Sequence, residues 1–183
     1  YIFHIAHCGS TLLSRAMDIR SENLVCREPF ELRNLAVEYA SKDYKHKSDG
    51  IWQKRLELLT GLLGRKYKSD QPTVIKANVP VNFMIPPLMD ASPGSKGIFL
   101  YHTLEDYLLS ILKSKDHQNW VSSITALIGH SADKVVGINA QQRAALSVPA
   151  LAAYLWLAQI TIYSKMLNTY SDTCSLNAEE VYN

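Results

Sequence analysis

The opening residues, Tyr1-Ile-Phe-His-Ile-Ala-His-Cys-Gly-Ser-Thr-Leu-Leu-Ser-Arg15, constrain this chain more than any other stretch. They read as a short apolar strand, a tight turn at Gly9 and the start of a helix. Peptide N–H groups at a helix start have no intrahelical partner, and the helix dipole puts partial positive charge there. A turn of small residues, His7-Cys8-Gly9-Ser10-Thr11, lets an anion approach those groups, with the hydroxyls of Ser10 and Thr11 as further donors. Residues 7–11 are therefore a candidate anion cradle. The blander reading of Ser10 or Thr11 is a helix N-cap, worth about 1 kcal/mol.

Beyond this stretch the chain alternates strand and helix. Strand patterns fall at residues 1–6, 24–26, 73–77, 97–101 and 173–176. Helical patterns fall at 11–19, 31–40, 51–67, 82–89, 104–114, 119–128 and 141–169, the last bent or broken near Pro149. Leu12, Leu13, Ala16 and Met17 form the predicted apolar face of the first helix, and the Lys- and Asp-rich residues 41–49 read as an exposed loop. Strands joined by helical crossovers predict an α/β fold, a parallel β-sheet with helices on both faces. A length of 183 residues suits one such domain, spanning 1–183, with no internal repeat. A start directly on a strand and a stop at Asn183 predict a domain truncated at both ends.

Composition narrows the partners. A net charge of +2 gives no support for nonspecific binding to nucleic acid or to a membrane surface, while leaving room for a local basic pocket. Residues 144–162 contain Pro149 and Gln159 and read as a buried helix, not a membrane span. Three widely spaced cysteines argue against a disulfide framework or a zinc site. Cys26 and Cys174 read as buried or semi-buried thiols of a reducing compartment, and the absence of a signal peptide adds to a cytoplasmic expectation.

In open α/β sheets ligands bind at the carboxyl ends of the strands. That rule gathers His7–Thr11, Arg27-Glu28-Pro29, Lys76-Ala-Asn-Val-Pro80 and His102-Thr103 along one edge. Each segment also has a plain structural reading. Glu28 alone would be a solvated carboxylate, with Pro29 opening the next helix. His7 and His102 would be satisfied polar residues, and His4 a core histidine. Trp52, Trp120 and Trp156 would be packing residues.

In order and spacing these four segments resemble a divergent member of the 3′-phosphoadenylyl sulfate-dependent sulfotransferase family, whose fold is a P-loop NTPase-like three-layer sandwich. His7-Cys-Gly-Ser-Thr-Leu-Leu13 is similar to the family's 5′-phosphosulfate loop. Glu28-Pro29 resembles a Glu-Pro pair in which the glutamate is the base, and Lys76-Ala-Asn-Val-Pro80 resembles a Lys-Thr-His-Leu-Pro stretch. Residues 99–110 follow the 3′-phosphate segment, where a strand-ending Arg is followed eight residues later by a Ser. His102 and Ser110 hold those two positions here. Ala178-Glu179-Glu180 is loosely similar to an acidic run near a later strand.

The resemblance implies that Cys8, Gly9, Ser10, Thr11, Leu12, His102 and Ser110 bind 3′-phosphoadenylyl sulfate, or its product adenosine 3′,5′-bisphosphate. It implies Glu28 as general base, with Lys76 or His7 stabilising the leaving oxygen. The acceptor would be a hydroxyl of a small molecule or carbohydrate, and no metal is called for. Three positions depart from the pattern: His7 for Lys or Arg, Asn78 for a catalytic His, and His102 for Arg. The family's glycine- and lysine-rich C-terminal segment has no counterpart in the chain. A non-catalytic nucleotide- or protein-binding relative is the alternative. A nucleoside triphosphatase loop would need a first Gly and a Lys that are missing here. A cysteine phosphatase would need Arg six positions after Cys8, where Ser14 stands.

Overall fold

The computed structural model describes residues 1–41, 50–66, 68 and 70–182. The predicted loop at 41–49, Ser41 apart, lies outside that set, as does residue 67; the helix predicted at 51–67 ends earlier, at Leu63, where Gly64 caps it.

Five strands form one sheet: β1 (Ile2–His4), β2 (Leu24–Arg27), β3 (Thr73–Lys76), β4 (Gly97–Tyr101) and β5 (Thr173–Asn177). They lie in the order β2-β3-β1-β4-β5, and every pairing is parallel. Parallel strands require crossovers, and right-handed crossovers put helices on both faces. The result is the three-layer α/β architecture predicted from the alternation. Both faces of β1 are consequently covered, and Ile2, Phe3 and His4 are all buried.

The order also fixes where a ligand can reach the sheet. The chain leaves β1 toward the β2 edge and leaves β4 toward the β5 edge. The winding therefore reverses between β1 and β4, and such reversals open a crevice beyond the strand ends.

The helices are α1 (Ser10–Ala16), α2 (Phe30–Ala40), α3 (Ile51–Leu63), α4 (Ile85–Asp90), α5 (Leu104–Leu112), α6 (Lys115–Val136), α7 (Ala140–Ala144), α8 (Val148–Thr169) and α9 (Ala178–Tyr182). A 3-10 turn, Val79–Met84, precedes α4 and takes up the first part of the helix predicted at 82–89. The predicted 119–128 helix is longer than its apolar pattern, because Ser114 caps its start and Gly137, at φ 81°, ends it. The predicted 141–169 helix is two helices. Asn139 and Gln142 form a capping box that starts α7, and Pro149 sits in the first turn of α8, where its missing N–H costs nothing.

The core runs from the sheet into α8. Phe3 packs on Phe99, its register partner, at 5.5 Å between ring centroids, and Phe99 stacks on Tyr163 at 4.8 Å. The first helix departs from its predicted face. Leu12 is 57% exposed, whereas Ser10 and Ser14 are buried. A helix this close to the sheet needs small inward side chains, and Ser14 bonds its own turn by donating to the Thr11 carbonyl at 2.9 Å. Cys174 also differs from expectation. It lies exposed on β5, a strand with a neighbour on one side only. Among the described residues no helix is long and apolar enough to cross a membrane.

Candidate functional site

The turn after β1 has an unusual backbone. Ala6 and His7 adopt φ of 69° and 51°, and Gly9 follows at 75°. Non-glycine residues in the left-handed region each store about 1 kcal/mol or more, so the surroundings must hold this turn in shape. Gly9 then caps α1, its carbonyl accepting from the N–H groups of Leu12 (2.8 Å) and Leu13 (3.1 Å). Glu28, just past β2, is also left-handed, with φ 52°. Its N–H donates to the Lys76 carbonyl at 2.8 Å, which fixes where its carboxylate projects.

These segments meet around a cleft of about 320 Å³. His4, Ala6, His7, Gly9, Ser10, Thr11, Glu28, Lys76, Asn78, Val79 and Trp120 line it. Lys76, the last residue of β3, is buried and stands opposite Ile2 of β1. Its ammonium donates to the Glu28 carboxylate and, at 3.2 Å, to Thr11 Oγ1. Asn78 Nδ2 donates to the other Glu28 oxygen at 3.0 Å. One carboxylate, one ammonium, a hydroxyl and an amide are thus joined in a chain of polar contacts at the carboxyl ends of β1, β2 and β3.

His7 stands at the rim. Its ring lies 3.9 Å from that of His117 and 5.1 Å, edge-on, from Trp120. Desolvation, followed by the charges of His117 and Lys113, holds its pKa down to about 4, so the imidazole is neutral near pH 7. His117 Nδ1 donates to the Ser110 carbonyl at 2.7 Å, tying the corner between α5 and α6 to the β1 turn.

The sequence-predicted residues divide clearly. His7, Gly9, Ser10, Thr11, Glu28 and Lys76 line the cleft together. Leu12 faces outward, and Cys8 is fully buried in the core. Burial pushes the Cys8 thiol up to about 11, only partly offset by the peptide N–H groups of Ile5, Ser10 and Cys8 itself. That removes the nucleophilic thiolate a cysteine phosphatase needs. Ser110 does not line the cleft, and its hydroxyl donates to the Tyr107 carbonyl at 2.8 Å. His102 lies outside it as well. Its carbonyl accepts from Trp156 Nε1 at 3.0 Å, and its ring stands near the Asp106–Glu179 pair. In that pair the shared hydrogen bond raises the Glu179 pKa. Arg27, placed by the strand-end rule beside Glu28, is instead engaged by Asp18 outside the cleft.

Sequence reasoning missed His4 and Trp120 as lining residues; it placed Asn78 on this edge within residues 76–80 but gave it no role. Trp120 had no signal: a tryptophan inside a helical pattern gives no hint of the strand end it will meet. His4 reads as core and is indeed buried, but its ring edge forms part of the cleft wall.

The donors present suit an oxyanion: the Lys76 ammonium, the hydroxyls of Ser10 and Thr11, the Asn78 amide, and peptide groups at the start of α1. Among the described residues no cluster of His, Cys, Asp and Glu could hold a metal ion. No family model matches the sequence, and no curated protein matches it.

Proposed function

We propose that this chain is a sulfotransferase-like protein, moving a sulfuryl group from 3′-phosphoadenylyl sulfate to a hydroxyl acceptor. The observation that carries this reading is the meeting of Glu28, Lys76 and the Gly9-Ser10-Thr11 turn in one cleft beyond the strand ends. Their sequence order and spacing resemble the sulfotransferase family, and a P-loop NTPase-like fold accords with the sheet order.

Each residue has a task. Ser10 and Thr11 hold the sulfonate and 5′-phosphate oxygens by hydroxyl donation, beside the peptide groups of the turn. Lys76 leaves Glu28 for the incoming anion and stabilises the oxygen that carries charge as the S–O bond to the 5′-phosphate breaks. Glu28, released from that ion pair, accepts the proton of the acceptor hydroxyl as its oxygen bonds to sulfur. His7, uncharged, contributes a hydrogen bond at the rim in place of the usual fixed cation.

A second reading is favoured by one observation. The Ser110 hydroxyl is bonded within its own helix, and neither it nor His102 lines the cleft. A binding protein of the same fold, without turnover, accords with that arrangement. Calorimetric titration with adenosine 3′,5′-bisphosphate tests the main reading. Binding weakened by Lys76→Ala, together with sulfuryl transfer lost in Glu28→Gln, supports it. Absence of nucleotide binding sinks it, and binding without transfer to any hydroxyl acceptor selects the binding-protein reading.

A further inference from the structure

His4 is buried inside β1, yet one of its ring nitrogens makes no well-formed hydrogen bond and belongs to the wall of the cleft. Its two nitrogens have unequal surroundings. Nδ1 lies 3.1 Å from the Ala6 N–H, which donates to it. A nitrogen that accepts carries no proton, so in the neutral ring the proton resides on Nε2. Nε2 stands 3.8 Å from Glu28 Oε1, too far for a hydrogen bond, and that same oxygen accepts from the Lys76 ammonium. Desolvation and then the Lys76 charge hold the ring neutral, with a pKa near 3, against the weaker opposing effect of a long hydrogen bond to the Ala77 backbone.

We propose that His4 is a ligand-binding residue, a fixed neutral donor whose Nε2–H bonds an oxygen of the sulfonate or phosphate that takes Lys76 from Glu28. The inference rests on the sulfotransferase-like reading for the ligand, but only on local geometry for the donor. Three features favour it over a merely structural histidine. A buried N–H that makes no well-formed hydrogen bond, the Ala77 backbone giving at most a weak one, is costly and rare in native proteins, so a better partner is owed to it. Side chains alternate along a strand, so His4 shares a sheet face with Ile2, whose register partner is Lys76. The Ala6 N–H that fixes the tautomer belongs to the same left-handed turn that shapes the cradle. Turn and donor are therefore set by one backbone conformation. Such a donor keeps its hydrogen-bonding role across the neutral pH range and, unlike a second lysine, adds no repulsion toward Lys76.

The test is long-range proton–nitrogen NMR of the full chain, titrated separately with inorganic pyrophosphate and with adenosine 3′,5′-bisphosphate. We expect the Nε2–H tautomer in the free protein and a marked downfield shift of that proton with either ligand. His4→Phe should weaken pyrophosphate binding about tenfold or more, the scale of one hydrogen bond to a charged oxygen, while His4→Gln recovers part of it. An Nδ1–H tautomer overturns the proposal. So does an unmoved His4 signal while the amides of Gly9 and Ser10 shift. Because the NMR readout uses the native sequence, it decides the matter even where His4→Phe fails to fold. A His4 shift with pyrophosphate but none with the nucleotide keeps the donor and removes the nucleotide assignment. Silence of the whole cradle toward both ligands removes both.

Discussion

Lys76 and Glu28 form an ion pair across adjacent strand ends: Lys76 closes β3, its register partner is Arg27 of β2, and Glu28 follows at the next position. The pair is asymmetric. The lysine side chain is 5% exposed and the glutamate 39%. The buried member depends on its partners, and the exposed one can turn to water.

That asymmetry yields opposite effects on ligand binding. Lys76→Ala should weaken pyrophosphate or adenosine 3′,5′-bisphosphate binding by about tenfold or more, through loss of a charged donor. Glu28→Gln should strengthen it several-fold, because a competing carboxylate leaves the cleft. Glu28→Gln should also cost about 1–2 kcal/mol of stability, below the roughly 3–5 kcal/mol of a fully buried pair because Glu28 is partly hydrated. Calorimetry and urea unfolding of the two variants read these effects, and tighter binding by Lys76→Ala would refute the assignment.

The neutrality of His4 makes stability depend on pH. Its pKa is about 3 in the folded chain and near the ordinary 6.5 when unfolded. Below pH 6.5 the unfolded state binds the extra proton, so stability falls as pH drops, by at most about 1.4 kcal/mol per pH unit from this group. The loss levels off near pH 3. Urea unfolding between pH 7 and pH 4 should show a shallower slope in His4→Gln than in the wild type. Equal slopes would show that the ring titrates normally.

Cysteine reactivity separates the three thiols. Cys174 is exposed, Cys26 half-buried, and Cys8 buried with its thiol pushed up to about 11. Iodoacetamide at pH 8 should modify Cys174 first and leave Cys8 intact until the protein unfolds. Peptide mass spectrometry gives the order, and early labelling of Cys8 would reopen the phosphatase reading.

Asn82 joins three elements of the fold. Its Nδ2 donates to the His4 carbonyl at 2.9 Å and to Gln159 Oε1 at 2.7 Å, so the 3-10 turn holds both β1 and α8. Asn82→Leu strands a buried carbonyl and a buried amide and should cost about 2–4 kcal/mol. Urea unfolding measures it, and a change below 0.5 kcal/mol, the scale of an ordinary surface substitution, would show that these bonds contribute little.

Much of this molecule was legible in its sequence for a local reason. Hydrophobic period, the Gly9 turn, Pro29 and Pro149 act within a few residues, so the order of strands and helices and the position of the turn after β1 follow from short stretches. The inward face of α1 did not follow. Leu13 does pack on the core, but Leu12, which has the right spacing for the same stripe, is exposed, because the close approach of the helix to the sheet favours Ser10 and Ser14 inside.

The four strand ends could be gathered from sequence by a general rule of parallel sheets, and His7, Gly9, Ser10, Thr11, Glu28 and Lys76 do share one cleft. What the sequence could not supply was the company those residues keep. The sequence positions of Asn78 and His102 do not say which one lines the cleft, and the order β2-β3-β1-β4-β5 puts both β3 and β4 beside β1; side-chain contacts decide, with Asn78 bonded to Glu28 in the cleft and the His102 carbonyl held by Trp156 outside it. Trp120 arrives from a helix far along the chain, and the His4 proton is fixed by a turn whose dihedral angles no composition reveals. Local preferences act through the backbone of neighbouring residues and can be read in sequence. Convergence depends on strand order and register, which only burial of the whole sheet decides.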